Sequence, residues 1–386
     1  MRVVRLYQLG VLVAVAAGVG VGCGEDGATA TSTVTADLQP MPKASPFESK
    51  VRQSNLVADQ DGFARKTDPD LQNAWGVAFK GRSIWIAANH TGTDRQYSED
   101  GKLGEVISLL RSDGTPSSPT GQVANPFGDA FGGDTFVVVS EDGDIFGANP
   151  GTATGTIRVN NEDAAVYKGD AIATFHGKPR LFATDFHNRK IDAFEADYSP
   201  AMLGGDFVDP ELATLTEDGT TPNEMYAPFN IQAFGDRLLV TYALQRGPDN
   251  EDDDEGPGRG FVDIFDTDGH YIQRLITRGD LNSPWGLAVS VEHQGDVDLL
   301  VGNFGDGHIN VYDLSVHNRR VRAQSEGPLV DRMKQPIAIE GLWAIAFGSG
   351  RGDFETDDLY FTAGPGNGDE IETHGLFGEL DFGRRR

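Results

Sequence analysis

One seven-residue segment recurs along this chain and restricts its fold more than any bulk property does. Asn73-Ala74-Trp75-Gly76-Val77-Ala78-Phe79 returns as Ser283-Pro284-Trp285-Gly286-Leu287-Ala288-Val289 and as Gly341-Leu342-Trp343-Ala344-Ile345-Ala346-Phe347. Ala227-Pro228-Phe229-Asn230-Ile231-Gln232-Ala233 is a fourth copy with Phe in the Trp position, and weaker copies cover 119–123 and 168–173. The spacing of about 45 to 60 residues suits one four-stranded blade per repeat. Each copy leads to a second apolar run, such as Ile84-Trp85-Ile86 or Leu299-Leu300-Val301, and the 49 glycines supply the turns between them. Small residues at Gly76, Ala78, Gly286 and Ala288 fit a strand crowded against a central axis. Six copies predict an all-β propeller of six blades, each of four antiparallel strands. A seven-bladed ring with one degenerate copy is the alternative. Little chain remains after the last copy, so Asn55-Leu56-Val57-Ala58 is expected to supply the last blade's outer strand and remove an open sheet edge.

The segments before the repeats read as an export and anchoring device. Arg2 and Arg5 precede a short apolar run from Val11 to Val21, too short for a bilayer span of about 20 residues. It ends at Cys23, the only cysteine in the sequence. A small residue before a lone cysteine resembles the lipobox of bacterial lipoproteins, although Gly20 stands where leucine is usual. The expected organisation is therefore a signal peptide over 1–23 with lipidation at Cys23, a tether over 24–50 and one propeller domain over 51–383. The tether carries Gly, Ala, Thr, Ser and Pro and has too little apolar surface to fold. A net charge of -27 repels phosphate backbones, which makes nucleic acid a poor partner. The expected setting is a bacterial cell envelope, periplasm or cell surface, reached through the N-terminal lipid.

Further motifs carry a resemblance. Asp68-Pro69-Asp70-Leu71, Asn73-Ala74-Trp75-Gly76, Gly260-Phe261-Val262-Asp263, Asn282-Ser283-Pro284-Trp285-Gly286, Gly302-Asn303-Phe304-Gly305-Asp306-Gly307 and Tyr360-Phe361-Thr362-Ala363-Gly364-Pro365 stand together. This set resembles a bacterial family of exported propellers, some of which carry a PEP-CTERM sorting tail. The chain instead ends Gly383-Arg384-Arg385-Arg386. The resemblance implies the fold and export, and no activity. More distantly the blades are similar to NHL and SMP-30-type propellers, which include lactonases and other hydrolases.

In a propeller the ends of the second strands and the starts of the inner strands share one face, where ligands usually bind. That places Asn89, Asp185, His187, Tyr242, Asn303 and Asp306 around one mouth, with Asn73, Asn230 and Asn282 beside it. Asn and Asp at these places also serve as turn residues, and Asp306-Gly307 is an ordinary hairpin signal. The acidic run Asp249-Asn250-Glu251-Asp252-Asp253-Asp254-Glu255 leaves the same face. It reads first as a disordered, solvated loop; Ca2+ held by Asn230, Asn303, Asp252 and Asp254 is the cofactor it would suit. His187 is placed to act as a base beside Asp185, or only to dress a turn. No Gly-x-Ser-x-Gly, His-Glu-x-x-His or Gly-x-x-x-x-Gly-Lys motif occurs. The sequence therefore favours a non-catalytic binding or scaffolding module for a polar small molecule, carbohydrate or protein. A metal-dependent hydrolase of the lactonase type is the alternative, weakened by the missing glutamate near the start of the first inner strand.

Overall fold

A computed structural model of the chain describes residues 51–212, 225–291, 296–317, 320–366 and 372–383. Among them the strands form six sheets. Their inner strands are Ala74–Lys80, Pro119–Ala124, Tyr167–Phe175, Tyr226–Phe234, Pro284–Val291 and Leu342–Phe347. Each packs against the next and the last packs against the first, closing a ring. The protein is a six-bladed β-propeller. All six repeat copies, the weak ones included, are inner strands, which sets the seven-bladed alternative aside. Among the described residues the third blade has three strands rather than four.

The ring closes as expected from the sequence, over a longer stretch. Strand Arg52–Ala58 pairs antiparallel with Leu376–Asp381, matching Gln53 with Leu380, Asn55 with Gly378 and Ala58 with Leu376. Both ends of the domain are thus tied into one blade. The core lies between neighbouring blades, as where Phe182 of the third meets Leu238, Val240 and Phe261 of the fourth. Asp68, from the Asp-Pro-Asp-Leu motif, serves the structure, since its buried carboxylate holds Arg95 at 2.7 Å and the Tyr97 hydroxyl at 2.6 Å.

The same irregularity interrupts every inner strand. In all six blades the pairing with the second strand shifts around the repeat's Trp position, at Trp75, Thr120, Lys168, Phe229, Trp285 and Trp343. Such bulges re-aim a side chain, and here they bring equivalent positions of six blades toward one axis. A threonine near the end of the second strand accepts the displaced amide in three blades. Thr184 takes Gly169 N–H at 2.9 Å, Thr241 takes Asn230 N–H at 3.0 Å and Thr362 takes Ala344 N–H at 3.1 Å. The residue after the bulge must be small where blades touch. A Cβ on Gly76 would lie 2.3 Å from the Thr120 carbonyl oxygen, and one on Gly169 would lie 2.2 Å from Asn230 Oδ1.

Candidate functional site

The bulged residues decide what fills the axis. Trp75, Phe229, Trp285 and Trp343 form one buried cluster with Phe186 and Phe304. Trp343 lies between two rings, stacked on Trp75 at 3.5 Å and on Phe304 at 4.0 Å, with Trp285 edge-on at 5.9 Å. These rings form a plug across the channel, with a polar mouth on one side and a cavity on the other.

The mouth is built around Lys168, which stands where four other blades carry Trp or Phe. Its ammonium is buried 5.2 Å above the Trp75 ring, ion-paired to Glu141 of the second blade and 3.7 Å from Asp252 of the fourth. Glu141 also accepts the Asn89 amide at 2.9 Å. Asn73 accepts Trp343 Nε1–H at 2.8 Å and donates to Glu372 of the sixth blade at 3.0 Å. Five blades therefore contribute to one polar cluster. Burial works against the Lys168 charge, but Glu141 and Asp252 outweigh it and hold its pKa above the ordinary value. Glu372 is pushed up to about 8, by burial first and then by Glu141, with Lys168 opposing. Asp253 is pushed up to about 6 by burial, which the Ser283 hydroxyl and Lys168 partly offset.

Of the residues expected at the mouth from sequence, Asn89 belongs to this cluster. Asp185 is fully buried and caps its own turn, accepting Val166 N–H at 3.2 Å and the Asn188 amide at 2.7 Å. His187 does not engage that carboxylate; its Nδ1 lies 3.0 Å from the Asp249 carbonyl oxygen. Tyr242 is buried between the third and fourth blades. Asn303 donates to the Asp280 carbonyl at 2.8 Å and to Asp306 at 3.1 Å, and Asp306 also accepts His308 N–H at 3.0 Å.

The acidic run is ordered, with Asp253 buried and Asp249, Glu251, Asp252 and Glu255 exposed to solvent. It folds back over the mouth through Arg246 N–H to the Asp252 carbonyl at 2.8 Å and Asp254 N–H to the Leu244 carbonyl at 2.7 Å. Its charges find cations within the chain: Asp252 pairs with Arg246 at 2.9 Å and Asp254 with Arg259 at 2.5 Å. Of the remaining residues suggested for Ca2+, Asn230 donates to the Trp285 carbonyl at 2.7 Å and lies along the cavity beyond the plug. No group of three or more His, Cys, Asp or Glu suited to a metal ion occurs among the described residues. Cys23 lies outside the described residues.

Sequence reading missed Glu141, Lys168 and Glu372. Lys168 was legible in principle, since Lys168-Gly169 aligns with Trp75-Gly76 and Trp285-Gly286. Glu141 follows the second strand of its blade, Phe136–Ser140, as Asn89 follows Ser83–Ala88. Glu372 sits in a loop with no repeat counterpart, and nothing local marks it.

Beyond the plug the channel widens into a cavity of about 360 Å³. Gln122, Asp170, Asn230 and Gln232 line one side, and Val77, Phe79, Leu287, Ala344, Ile345 and Ala346 line the other.

Fold and site together define a six-bladed propeller with a sealed axis and a charged mouth. No family model matches the chain. It is 30% identical over 341 residues to Uncharacterized protein L690 of Acanthamoeba polyphaga mimivirus, covering 84% of each chain. Uncharacterized protein R648 of the same virus is 31% identical over 323 residues, covering 80% of this chain and 75% of that protein. The chain belongs to the family of these two proteins. Among solved structures, a Bacteroides thetaiotaomicron protein of unknown function is similar at a TM-score of 0.49 and 10% identity, covering 86% of this chain and 76% of that one. Virginiamycin B lyase from Staphylococcus aureus gives 0.44 and 13%, covering 86% and 99%. Aldose sugar dehydrogenase from Streptomyces coelicolor gives 0.47 and 15%, covering 86% and 98%. Likeness at this level carries nothing about chemistry.

Proposed function

We propose that this chain is a lipid-anchored propeller of a bacterial cell envelope that binds a polar ligand at its axial mouth without transforming it. The export motifs support the bacterial setting, while both relatives named above are viral. The observation that carries the binding reading is the exchange of an aromatic for Lys168 at the axis, locked by carboxylates from neighbouring blades. An ammonium held protonated is a poor nucleophile or base and a good fixed charge. Carboxylates outnumber it at the rim, where Asp252 is half exposed, so the mouth suits neutral hydroxyl-rich or cationic groups. A hydrolase without a channel cation would instead draw on Glu372, whose carboxyl is pushed up to about 8 by burial and so keeps a proton to donate at neutral pH.

Thermal-shift titrations of the mature chain with neutral oligosaccharides, a diamine and CaCl2 test the binding reading. A saturable rise in Tm with one of these classes, removed by Glu141→Gln, is the expected result. A wild-type protein that responds to none, or a response that survives Glu141→Gln, overturns it.

A further inference from the structure

The cavity beyond the plug has a lining of its own, distinct from the charged mouth. Its polar side includes acceptors that find no partner among the described residues. Asp170 is 8% exposed, and neither carboxyl oxygen has a hydrogen-bond partner among the described residues. Gln122 Oε1 and Gln232 Oε1 are likewise buried without partners among them. Two of the nearby amide donors are already engaged. Gln122 Nε2 serves the carbonyls of Gly76 at 3.1 Å and Trp85 at 2.6 Å, and Asn230 Nδ2 serves that of Trp285. A buried acceptor without a donor costs about 1–3 kcal/mol, and more when charged. Burial alone pushes the Asp170 carboxyl well above its ordinary pKa. No group among the described residues stabilises its charge.

The surroundings of Asp170 keep it close to the axis. Its strand neighbour on the second blade is Gly121, which also lines the cavity, and a Cβ there would come within 3.0 Å of Asp170 Oδ1. The opposite wall is apolar, and the plug closes the cavity behind Trp285. The other end opens where the inner strands leave the axis, since Val123, Ala124, Gln232 and Ala346 are partly exposed. A volume of about 360 Å³ falls in the range of ligand sites. A cavity of about 150 Å³ already holds a benzene ring.

We infer that this cavity binds a small organic ammonium, with its N–H groups on Asp170 and the glutamine oxygens and its hydrocarbon body against Leu287, Ile345 and Phe79. A neutral alcohol of the same length offers one donor and no charge, and an anion would face Asp170. In the free cavity Asp170 keeps its proton; an amine that enters takes that proton and pairs as an ammonium with the carboxylate it leaves, which an alcohol cannot do. The site lies across the aromatic plug from the mouth and is independent of the ligand bound there.

Calorimetric titration of the mature chain with n-hexylamine and with 1-hexanol tests the inference. Hexylamine should bind at least tenfold more tightly than hexanol to the wild type, and Asp170→Asn should bring the two affinities together. Equal affinities in the wild type, absence of hexylamine binding, or an amine preference that survives Asp170→Asn overturns the assignment. Should Asp170→Asn fail to fold by circular dichroism, Ala346→Phe tests the same site from its apolar rim with Asp170 intact. It should abolish hexylamine binding, and unchanged affinity refutes the site. Glu141→Gln, at the mouth, should leave hexylamine affinity unchanged; a loss there would move the amine to the mouth and overturn the assignment.

Discussion

Replacing Asp94 by Asn changes the charge of one buried group while keeping its shape. Asp94 lies on the third strand of the first blade, fully buried, with no hydrogen-bond partner for either oxygen among the described residues. Burial pushes its carboxyl from 3.8 up to about 7, and the nearby Gln122 amide offsets only part of this. The sign follows from proton linkage. The folded chain keeps this proton up to about pH 7 while the unfolded chain loses it near 4, so folding takes up a proton between those values. Stability falls as pH rises through that window. Integrating over the two pKa values removes about 2.5 kcal/mol between pH 5 and pH 8. With ~2.1 cal/mol/K of unfolding entropy per residue, a domain of this length loses about 4 °C in Tm. The Asn variant lacks this contribution, so its Tm relative to wild type should rise by about that amount from pH 5 to pH 8. Other raised carboxyls, such as Asp358 at about 7, are present in both proteins and cancel. Calorimetric melting of both proteins at the two pH values measures the difference. A difference that does not change with pH would show that Asp94 is not held protonated.

Cys23→Ser should move the protein from the membrane to the soluble fraction; continued membrane partition would remove the lipid anchor from the proposal. Deleting residues through Gln60 removes the strand that closes the sixth blade and should lower Tm, whereas deletion ending before Val51 should leave it unchanged. Trp343→Ala opens the centre of the plug and should cost about 3–5 kcal/mol in denaturant unfolding; a loss below about 1 kcal/mol would refute close packing there. Lys168→Met leaves Glu141 without its cation and should destabilise by about 3–5 kcal/mol at pH 9. The loss should shrink at pH 5, where Glu372 is protonated; equal losses at both pH values would argue against charge as the cause.

The fold was legible because a propeller repeats its constraints. Trp75-Gly76, Trp285-Gly286 and Trp343-Ala344 each encode a bulge and a close blade contact, so one pattern appears several times with little variation. The site was less legible for the same reason. Its defining residue, Lys168, is a departure from the pattern, and departures resemble weak copies. Ends of second strands include Asn89, which joins the mouth, but also Asp185 and Asn303, which do not. Those two bond to nearby backbone and turn groups, as Asp and Asn usually do at strand ends. Partners such as Glu141 and Glu372 depend on the closing of the ring, which brings distant blades together and leaves no mark in local spacing.

A single repeat position accounts for the division of the channel. Where the bulged residue is Trp or Phe, its ring reaches the axis and packs on its counterparts; four such rings, with Phe186 and Phe304, block passage. Where it is Lys168, the same geometry presents a cation to the mouth. One step further along the third inner strand from Gly169, Asp170 lines the cavity on the other side. Cation and carboxyl are thus two residues apart in sequence yet separated by the aromatic plug. The strand from Lys168 to Asp170 is the shortest covalent link between the two ends and one direct route for coupling between them. Lys168→Met combined with Asp170→Asn measures that coupling. Stability losses that add within about 0.5 kcal/mol would make the ends energetically separate. A larger interaction energy would mean that the third blade links them.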